Sequence, residues 1–262
     1  MKIDRLLSKL PVDARDAIGL AAAAAEDSGG RIFLVGGCVR DLLLRADTYD
    51  LDFVVEGDGM KTARKLAVLL KGNVVHHHRF GTATVAHGGL KVDVATARTE
   101  TYPVPASLPS VKPGTIEDDL YRRDFTINAM AASINDGGFG RLIDTFGGLS
   151  DLKAGKIRVL HKESFIDDPT RILRAVRFEQ RYGFRIEPRT LSLLKKAAGA
   201  GMLHSVHPHR LRDELLLMLK EKSPCRQLRR LERTAGLDFL HPRVSLGREE
   251  CSLFRRVPAR DA

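Results

Sequence analysis

The chain has 262 residues, of which 43% are hydrophobic and 29% are charged. These values are ordinary for a soluble globular protein with one large domain or two modest ones. The 43 lysines and arginines outnumber the 33 acidic residues and give a formal net charge of +10. This excess favours a polyanionic partner such as nucleic acid, although a globular protein can also be basic without one.

The cysteines and the N-terminal stretch indicate a compartment. Cys38, Cys225 and Cys251 are odd in number and far apart. They predict neither a disulfide framework nor a zinc site, which suits a reducing environment. The alanine-rich stretch at 18–25 is short and ends at Glu26, so it predicts a helix instead of a signal peptide or membrane span. We therefore expect a cytoplasmic protein without membrane association.

The first half of the chain alternates strand and helix patterns. Short apolar runs bounded by glycines and turns predict strands at 31–35, 51–55, 74–78, 82–86 and 90–95. Helical patterns cover 39–44 and 60–70. A mixed order of elements with tight turns predicts a mixed sheet in an α/β head domain.

The pattern changes in the second half. Residues 101–114 contain four prolines and end in Gly114, which predicts an exposed loop. The strand signal fades beyond Gly147-Gly148, and the pattern becomes helical from Pro169 onward. Apolar residues then recur at the spacing of one helix face: Ile172, Leu173, Val176, Phe178, Leu211, Leu215 and Leu219. We place a domain boundary near residue 146.

Three acidic residues form a candidate catalytic and metal-binding site. Asp50 and Asp52 open a predicted strand, and residues two apart on a strand face the same side. Two such carboxylates repel each other unless a cation lies between them, and Mg²⁺ prefers hard oxygen ligands. Asp93, on a later strand, could complete a site for two Mg²⁺ ions and phosphoryl transfer. The alternative is that Asp50 and Asp52 are solvent-facing acids at a strand end.

A glycine pair precedes this acidic segment. Gly36 and Gly37 follow a predicted strand and precede a helix start, where backbone can approach a phosphate and free N–H groups are available. Arg40 could add a charge-assisted contact to the same phosphate. The spacing is not that of a P-loop, and a glycine pair alone is more often only a turn.

Together, the glycine turn and the acidic pair over residues 34–55 resemble the signature of the class II tRNA nucleotidyltransferase and bacterial poly(A) polymerase family. The resemblance implies a polymerase-β-like nucleotidyltransferase head followed by an all-α neck and body. A second motif, Arg122-Arg123-Asp124-Phe125-Thr126-Ile127-Asn128-Ala129-Met130, matches the element that binds triphosphate and ribose in that family. Arg122, Arg123 and Asn128 are carried over to those roles.

A further motif covers residues 167–178. Asp168 would cap a helix that starts at Pro169, and Arg171, Arg174 and Arg177 could form a solvated helix face. The resemblance implies more: the matching acid and arginine, here Asp168 and Arg171, hydrogen-bond the Watson–Crick edge of the incoming base in place of a template. Arg174 and Arg177 would orient that pair or contact phosphate.

The resemblance therefore implies Mg²⁺-dependent addition of CMP, AMP or both, from CTP and ATP, to the 3′ end of tRNA. It also implies a head at 1–145, a neck at 146–220 and a truncated, basic RNA-binding body at 221–262, with 11 basic and 6 acidic residues in the last 43 positions. Addition of CC only, A only or a poly(A) tail is left open, as is a non-catalytic RNA-binding remnant. The loop at 101–114 lacks the paired arginines that many members carry. The oligomeric state also stays open.

Two other features receive ordinary interpretations. His76, His77 and His78 alternate in direction along a strand, so at most two could face one metal, and no matching ligand set is evident. Glu214, near Arg210 and Arg212 on a predicted amphipathic helix, is expected to be a salt-bridging surface residue and not a catalyst.

Overall fold

The structure is a computed structural model that describes residues 1–46, 50–77, 81–135, 137–247 and 251. It divides into two compact units. Unit 1 comprises Met1–Thr101 and Ser110–Ser150, and unit 2 comprises Tyr102–Pro109 and the chain from Asp151 onward. Within the described ranges, no helix combines the length and the apolar character needed to cross a membrane.

Unit 1 alternates helices and strands as the sequence predicts. Its helices are α1 (Asp4–Leu7), α2 (Val12–Glu26), α3 (Gly37–Leu44), α4 (Gly59–Leu70) and α5 (Ile116–Tyr121). Its strands are β1 (Arg31–Val35), β2 (Leu51–Glu56), β3 (Asn73–His77), β4 (Thr82–His87), β5 (Leu90–Thr96), β6 (Arg98–Thr101), β7 (Ser110–Pro113), β8 (Ala131–Ser133) and β9 (Leu142–Ile143). His78, included in a predicted strand, lies outside the described residues.

Seven of these strands form one mixed sheet in the order β3-β4-β5-β2-β1-β8-β9. β2 and β5 run parallel, whereas the other neighbouring strands of this sheet run antiparallel. Helix α4 packs on β4 and β5, and α2 packs on α4 and β1. This arrangement confirms the predicted α/β head with a mixed sheet. It leaves the opposite side of β4, β5 and β2 for polar side chains.

The prediction that residues 101–114 form an exposed loop is wrong at both ends. Thr101 ends β6, which pairs antiparallel with β7, and Pro113 occupies the last position of β7. A proline is tolerated there because the end of an edge strand does not need its N–H. In unit 2, Ala106 is 7% exposed, and its N–H donates to the carbonyl of Ile166 at 3.1 Å. Long-range pairing thus orders a segment whose composition predicts a loop.

Unit 2 is mainly helical, which confirms the predicted helical region after the head. Its helices are α7 (Ser164–Asp167), α8 (Thr170–Tyr182), α9 (Pro188–Gly199), α10 (Pro208–Leu219) and α11 (Pro224–Ala235), while α6 (Gly148–Lys153) spans the division between the units. β10 (Lys156–Ile157) and β11 (Arg185–Ile186) form a short parallel pair. α8 packs against α10 and α11, and its predicted apolar face is buried.

Two expectations for unit 2 are wrong. Leu219 is 40% exposed, and α10 buries Leu211 and Met218 instead of the full predicted stripe. Cys225 and Cys251 form a disulfide, although their spacing did not suggest one. The fold brings their Cα atoms to 5.4 Å, a tertiary proximity that a separation of 26 residues does not reveal. Cys38 is buried and free.

Candidate functional site

Two carboxylates lie side by side on the open face of the sheet in unit 1. Asp52 on β2 is the register partner of Asp93 on the parallel strand β5, so both side chains point to the same face. Asp50 directly precedes β2 and is exposed. The structure thus pairs Asp52 with Asp93. Within the described residues, no group of three His, Cys, Asp or Glu side chains forms a preassembled metal-binding cluster.

The surroundings of Asp52 destabilise its ionised form. Burial raises its pKa to about 6, and the negative charges of Asp93 and Asp50 act in the same direction. The positive charges of Arg123 and Lys91 oppose this rise but do not cancel it. A carboxylate in such surroundings gains more from a nearby cation than an exposed one does.

Asp93 is held in position by its neighbours on the sheet. The hydroxyl of Thr84, its register partner on β4, donates to Oδ1 of Asp93 at 2.5 Å. Nζ of Lys91 lies 3.9 Å from the other oxygen, Oδ2. The side chain of Asp93 remains 48% exposed, so one oxygen is fixed while the other stays accessible.

A buried acid orients the predicted pair of arginines. Asp119 on α5 is fully buried, and it accepts from Nη2 of Arg122 at 2.7 Å and from Nη2 of Arg123 at 2.8 Å. Burial alone would raise the pKa of Asp119, but the charges of Arg123 and Arg122 hold it below its usual value. Glu100 also accepts from Nη1 of Arg122 at 3.2 Å. Asp119 therefore fixes both guanidiniums in one place.

The carboxylates and the arginines share one cavity of about 400 Å³. Its lining residues come mainly from β2, β4 and β5, with one residue each from β1 and β3 and two that directly follow α5. Asp52, Asp93, Arg122, Arg123, Lys91 and Thr84 are among them. A cavity with acids on one wall and arginines on another can hold a polyanion together with cations.

The glycine turn lies against this arginine pair. Gly36 has φ 64°, a left-handed conformation that favours glycine, and a Cβ atom built there would collide with Nη1 of Arg123. A Cβ atom at Gly37 would lie 3.4 Å from Nη2 of Arg40. The positive φ therefore favours glycine at position 36, and the turn lies beside the guanidinium of Arg123.

Arg40 and Asn128 are placed differently from what the sequence suggests. Arg40 is 6% exposed and forms two hydrogen bonds of 2.8 Å to the carboxylate of Asp41. Its Nη1 donates to Oδ1 of Asn128 at 2.6 Å, and Asn128 in turn donates to Asp124 at 2.9 Å. Both residues thus belong to a buried network that joins α3 to the 3-10 turn at Thr126–Asn128. Direct contact of Arg40 with phosphate would require this network to open.

In unit 2, Asp168 occupies the start of helix α8. The helix begins one residue later than predicted, with Pro169 in the cap position, and Oδ1 of Asp168 accepts from the backbone N–H of Thr170 at 3.1 Å. Nη2 of Arg210 on α10 lies 2.7 Å from the same oxygen. Arg171 is 5% exposed, and its Nη1 donates to the hydroxyl of Ser164 at 2.6 Å. Asp168 and Arg171 are therefore both held by other residues of unit 2.

Arg174 and Arg177, two further arginines of α8, share an acidic partner. Nη1 of Arg174 and Nη2 of Arg177 lie 2.9 and 3.2 Å from the two carboxylate oxygens of Glu214. The alternative of a solvated helix face does not hold for Arg177 and Arg171, because both are buried. Burial lowers the pKa of Arg177, and Glu214 partly offsets that effect. Glu214 is salt-bridging as expected, but its partners lie on α8 and its side chain is only 13% exposed.

Sequence reasoning missed several positioning residues. Asp119 precedes Arg122 and Arg123 by three and four residues, the spacing at which helical side chains meet, and this signal could have identified it. Thr84 reaches Asp93 across the hairpin of β4 and β5, whose register could have identified it, whereas Glu100 and Arg210 reach their partners through long-range contacts that give no local signal.

The histidine run does not form a metal site among the described residues. His76 is partly buried and His77 exposed, consistent with alternation along β3. His77 lines the cavity in unit 1, whereas His78 lies outside the described residues.

Comparisons with known proteins agree with this architecture. The poly(A) polymerase head-domain profile matches residues 32–158. A second profile, described as "Probable RNA and SrmB-binding site of polymerase A", matches residues 183–246. An A-adding tRNA nucleotidyltransferase of Geobacter sulfurreducens is 47% identical over 82% of this chain and 24% of its own length. A CC-adding tRNA nucleotidyltransferase of Deinococcus radiodurans is 39% identical over 76% of this chain and 52% of its own length.

A solved structure of the Thermotoga maritima CCA-adding enzyme complexed with tRNA is also similar. It has a TM-score of 0.86 and 42% identity over 98% of this chain and 61% of that one. The chain thus spans between about a quarter and three fifths of the lengths of these relatives. By its two profile matches, its relatives and its fold, the chain belongs to the class II tRNA nucleotidyltransferase and poly(A) polymerase family.

Proposed function

We propose that this chain carries the catalytic machinery for template-independent addition of CMP, AMP or both, from CTP and ATP, to the 3′ end of tRNA. The observation that carries the proposal is the Asp52–Asp93 pair, which faces a cavity also lined by Arg122 and Arg123. Relatives named A-adding tRNA nucleotidyltransferases, at 46% to 51% identity, favour AMP addition. A poly(A) polymerase is the alternative within the same chemistry.

The acidic pair fits divalent metal ions. The raised pKa of Asp52, about 6, reflects its burial first and the negative charges of Asp93 and Asp50 second, and both would be offset by a bound cation. Two adjacent carboxylates supply hard oxygen ligands, and substrate phosphates and water can supply the rest of a Mg²⁺ coordination shell. We propose that Asp52 and Asp93, with Asp50 beside them, hold two Mg²⁺ ions. Bound Mg²⁺ would activate the attacking hydroxyl and neutralise charge on the departing pyrophosphate.

The cations of the cavity would hold the triphosphate. Arg122 and Arg123 are presented as a fixed pair by Asp119, which favours bidentate binding of phosphate oxygens. The close approach of Gly36 to Arg123 places backbone beside that pair, and Gly37 starts helix α3. The 3′-hydroxyl of the RNA would then attack the α-phosphate in line, and the bond to pyrophosphate would break. Arg40 and Asn128 would support this region from their buried network.

Unit 2 would select the base. We propose that Asp168 accepts and Arg171 donates hydrogen bonds to the Watson–Crick edge of cytosine or adenine. Arg174 and Arg177, held by Glu214, would keep α8 in position and so maintain the direction of that pair. The proposal includes a head at 1–145, a neck at 146–220 and a basic RNA-binding body from 221 onward. It also includes a cytoplasmic location, because tRNA, ATP and CTP are present there.

The test is incorporation of labelled CTP and ATP, separately and together, with Mg²⁺. The substrates are tRNAs that end before C74, after C75 and after A76. We expect AMP addition to the tRNA that ends after C75, and no incorporation by Asp52→Asn. Asp213→Asn, which changes an exposed acid of α10, is the matched control and should retain activity. Long A tails on any RNA would indicate a poly(A) polymerase, and full activity of Asp52→Asn would contradict the proposed metal site.

A further inference from the structure

The Cys225–Cys251 disulfide has no role in the proposed nucleotide chemistry, and its two sulfurs lie in different surroundings. Cys225 follows Pro224 in the first turn of α11 and is partly exposed. Cys251 is 3% exposed. A reagent from solvent therefore reaches the sulfur of Cys225 more readily than that of Cys251.

A basic cavity of about 650 Å³ surrounds this disulfide. Both cysteines line it, together with Lys222, Arg226, Arg229 and Arg233. Within the described part of the chain, no carboxylate forms an ion pair with these four cations, whereas the neighbouring Arg230 is paired with Glu179. Among the described residues, the cavity therefore presents positive charge without a paired carboxylate around the disulfide.

The position of Cys225 also favours thiol chemistry. The start of a helix and nearby arginines both stabilise a thiolate relative to a thiol, which makes Cys225 a good leaving group once a small thiol is bonded to it. The same positive charge attracts an anionic reagent and raises its local concentration. Cys225 is partly exposed, Cys251 is shielded, and the basic lining of the cavity attracts anions. Together these features define a site for exchange with a small negatively charged thiol.

We propose that Cys225–Cys251 is a thiol–disulfide exchange site for an anionic low-molecular-weight thiol of the glutathione class. The thiolate of the small molecule attacks Sγ of Cys225, and the bond to Sγ of Cys251 breaks, which releases Cys251 as a thiolate. A second thiolate then attacks the sulfur of the first small molecule, which leaves Cys225 as a thiolate and forms the small-molecule disulfide. Two electrons pass from two small thiols to the cysteine pair, and the protein thiolates take up protons from water.

The compartment supports a reversible pair over a permanent one. This choice of compartment rests on the proposed function, by which the chain works among RNA and nucleoside triphosphates in a reducing environment. Intracellular disulfides there are usually transient or redox-sensing. The exchange itself does not depend on nucleotide addition and is measured without it.

The experiment compares the reduction of the oxidised chain by anionic glutathione, neutral 2-mercaptoethanol and cationic cysteamine at low salt. Labelling of released thiols gives the second-order rate constant for each reagent. We expect Arg226→Gln/Arg229→Gln/Arg233→Gln to lower the glutathione-to-cysteamine rate ratio by about tenfold, because steering of this kind changes association rates by about ten-fold or more. Arg189→Gln, an exposed arginine of α9, is the matched control and should leave the ratio unchanged.

Two further measurements make the outcome decisive. An unchanged rate with 2-mercaptoethanol would show that the triple variant keeps the disulfide in its native surroundings. Cys251→Ser treated with glutathione disulfide should gain one glutathione, located on Cys225 by peptide mass. An air-oxidised chain that retains two free thiols at positions 225 and 251 would overturn the proposal. So would a rate ratio that does not respond to the three arginine substitutions.

Discussion

The sheet face of unit 1 and helix α8 of unit 2 each concentrate one sign of charge, but they neutralise it to different degrees. On the sheet, Asp52 and Asp93 lie side by side, and the pKa of Asp52 is raised to about 6. On α8, Arg174 and Arg177 share the carboxylate of Glu214. The protein thus supplies a negative partner for Arg174 and Arg177, whereas the positive charges near Asp52 do not cancel the rise in its pKa.

This difference separates a binding site from its supporting structure. Buried charges are stable in a folded protein when they are paired, and an unpaired excess raises the free energy of the native state. Arg174 and Arg177 therefore stabilise unit 2 through their shared acidic partner, Glu214. The aspartates of the sheet instead create a negative electrostatic potential, which a cation from solution can neutralise.

The largest effect is expected where a buried acid serves two arginines. Asp119→Asn removes the charge that orients Arg122 and Arg123, and it leaves both guanidiniums without their principal partner. We expect the free energy of unfolding to fall by about 3–5 kcal/mol, as for other broken buried ion pairs. Urea denaturation measures this loss. Glu117→Gln, an exposed position on the same helix, should change stability by less than about 0.5 kcal/mol.

A somewhat smaller loss of stability is expected from a substitution on α10. Glu214→Gln removes the shared partner of Arg174 and Arg177, but the side chain of Arg174 is 30% exposed and regains solvation. We expect unfolding free energy to fall by about 2–3 kcal/mol. The neighbouring exposed pair formed by Asp213 and Arg212 provides the control, because Asp213→Asn should have almost no effect. Equal effects of the two substitutions would contradict the supporting role of Glu214.

Substitution of Asp52 on the sheet face should raise the stability of the protein, whereas the two substitutions above lower it. Because the folded-state pKa of Asp52, about 6, lies above its unfolded value, the native state binds more protons between pH 4 and 6. Stability without divalent cations should therefore fall by about 1–2 kcal/mol as pH rises through this range. Asp52→Asn should remove this part of the pH dependence and be the more stable protein at pH 7. Urea denaturation at both pH values in EDTA measures it; a variant less stable than the wild type at pH 7 would argue against strain at Asp52.

The smallest effect concerns the acid at the start of α8. Arg210→Gln removes the ion pair with Asp168, whose side chain is 18% exposed, and should cost about 1 kcal/mol. Arg212→Gln breaks only an exposed pair and should cost nothing measurable. Thermal unfolding of both variants gives the comparison. If the two variants unfold at the same temperature, Arg210 does not stabilise Asp168.

Much of the fold could be predicted from local patterns. The strands of the head and helix α8 follow from apolar runs, glycine turns and helix-face spacing. Asp93 was expected to complete the site of Asp52, but the parallel pairing of β2 with β5 and its register could not be predicted from local patterns, because a helix and two further strands separate the two strands in the chain. The Cys225–Cys251 bond was missed for the same reason: its partners meet only in the folded chain.

The candidate site residues show the same contrast between what local patterns predict and what only tertiary contacts determine. Their types and order predicted an acidic pair, a glycine turn and two arginines, and the structure brings Asp52, Gly36 and Arg123 into one neighbourhood. Sequence reasoning did not foresee that Arg40 is bound to Asn128, 88 positions away. Whether an arginine is held by the protein or available to a ligand depends on such distant partners, which local spacing does not encode.

The central claim is that the sheet face of unit 1 attracts divalent cations and that α8 does not. Isothermal titration with Mg²⁺ tests it directly on the wild type, Asp52→Asn and Glu214→Gln. We expect Mg²⁺ to bind the wild type and Glu214→Gln alike, and Asp52→Asn to lose affinity by about tenfold or more, because one of two adjacent charged ligands is removed. Equal Mg²⁺ affinity of Asp52→Asn and the wild type would contradict the claim.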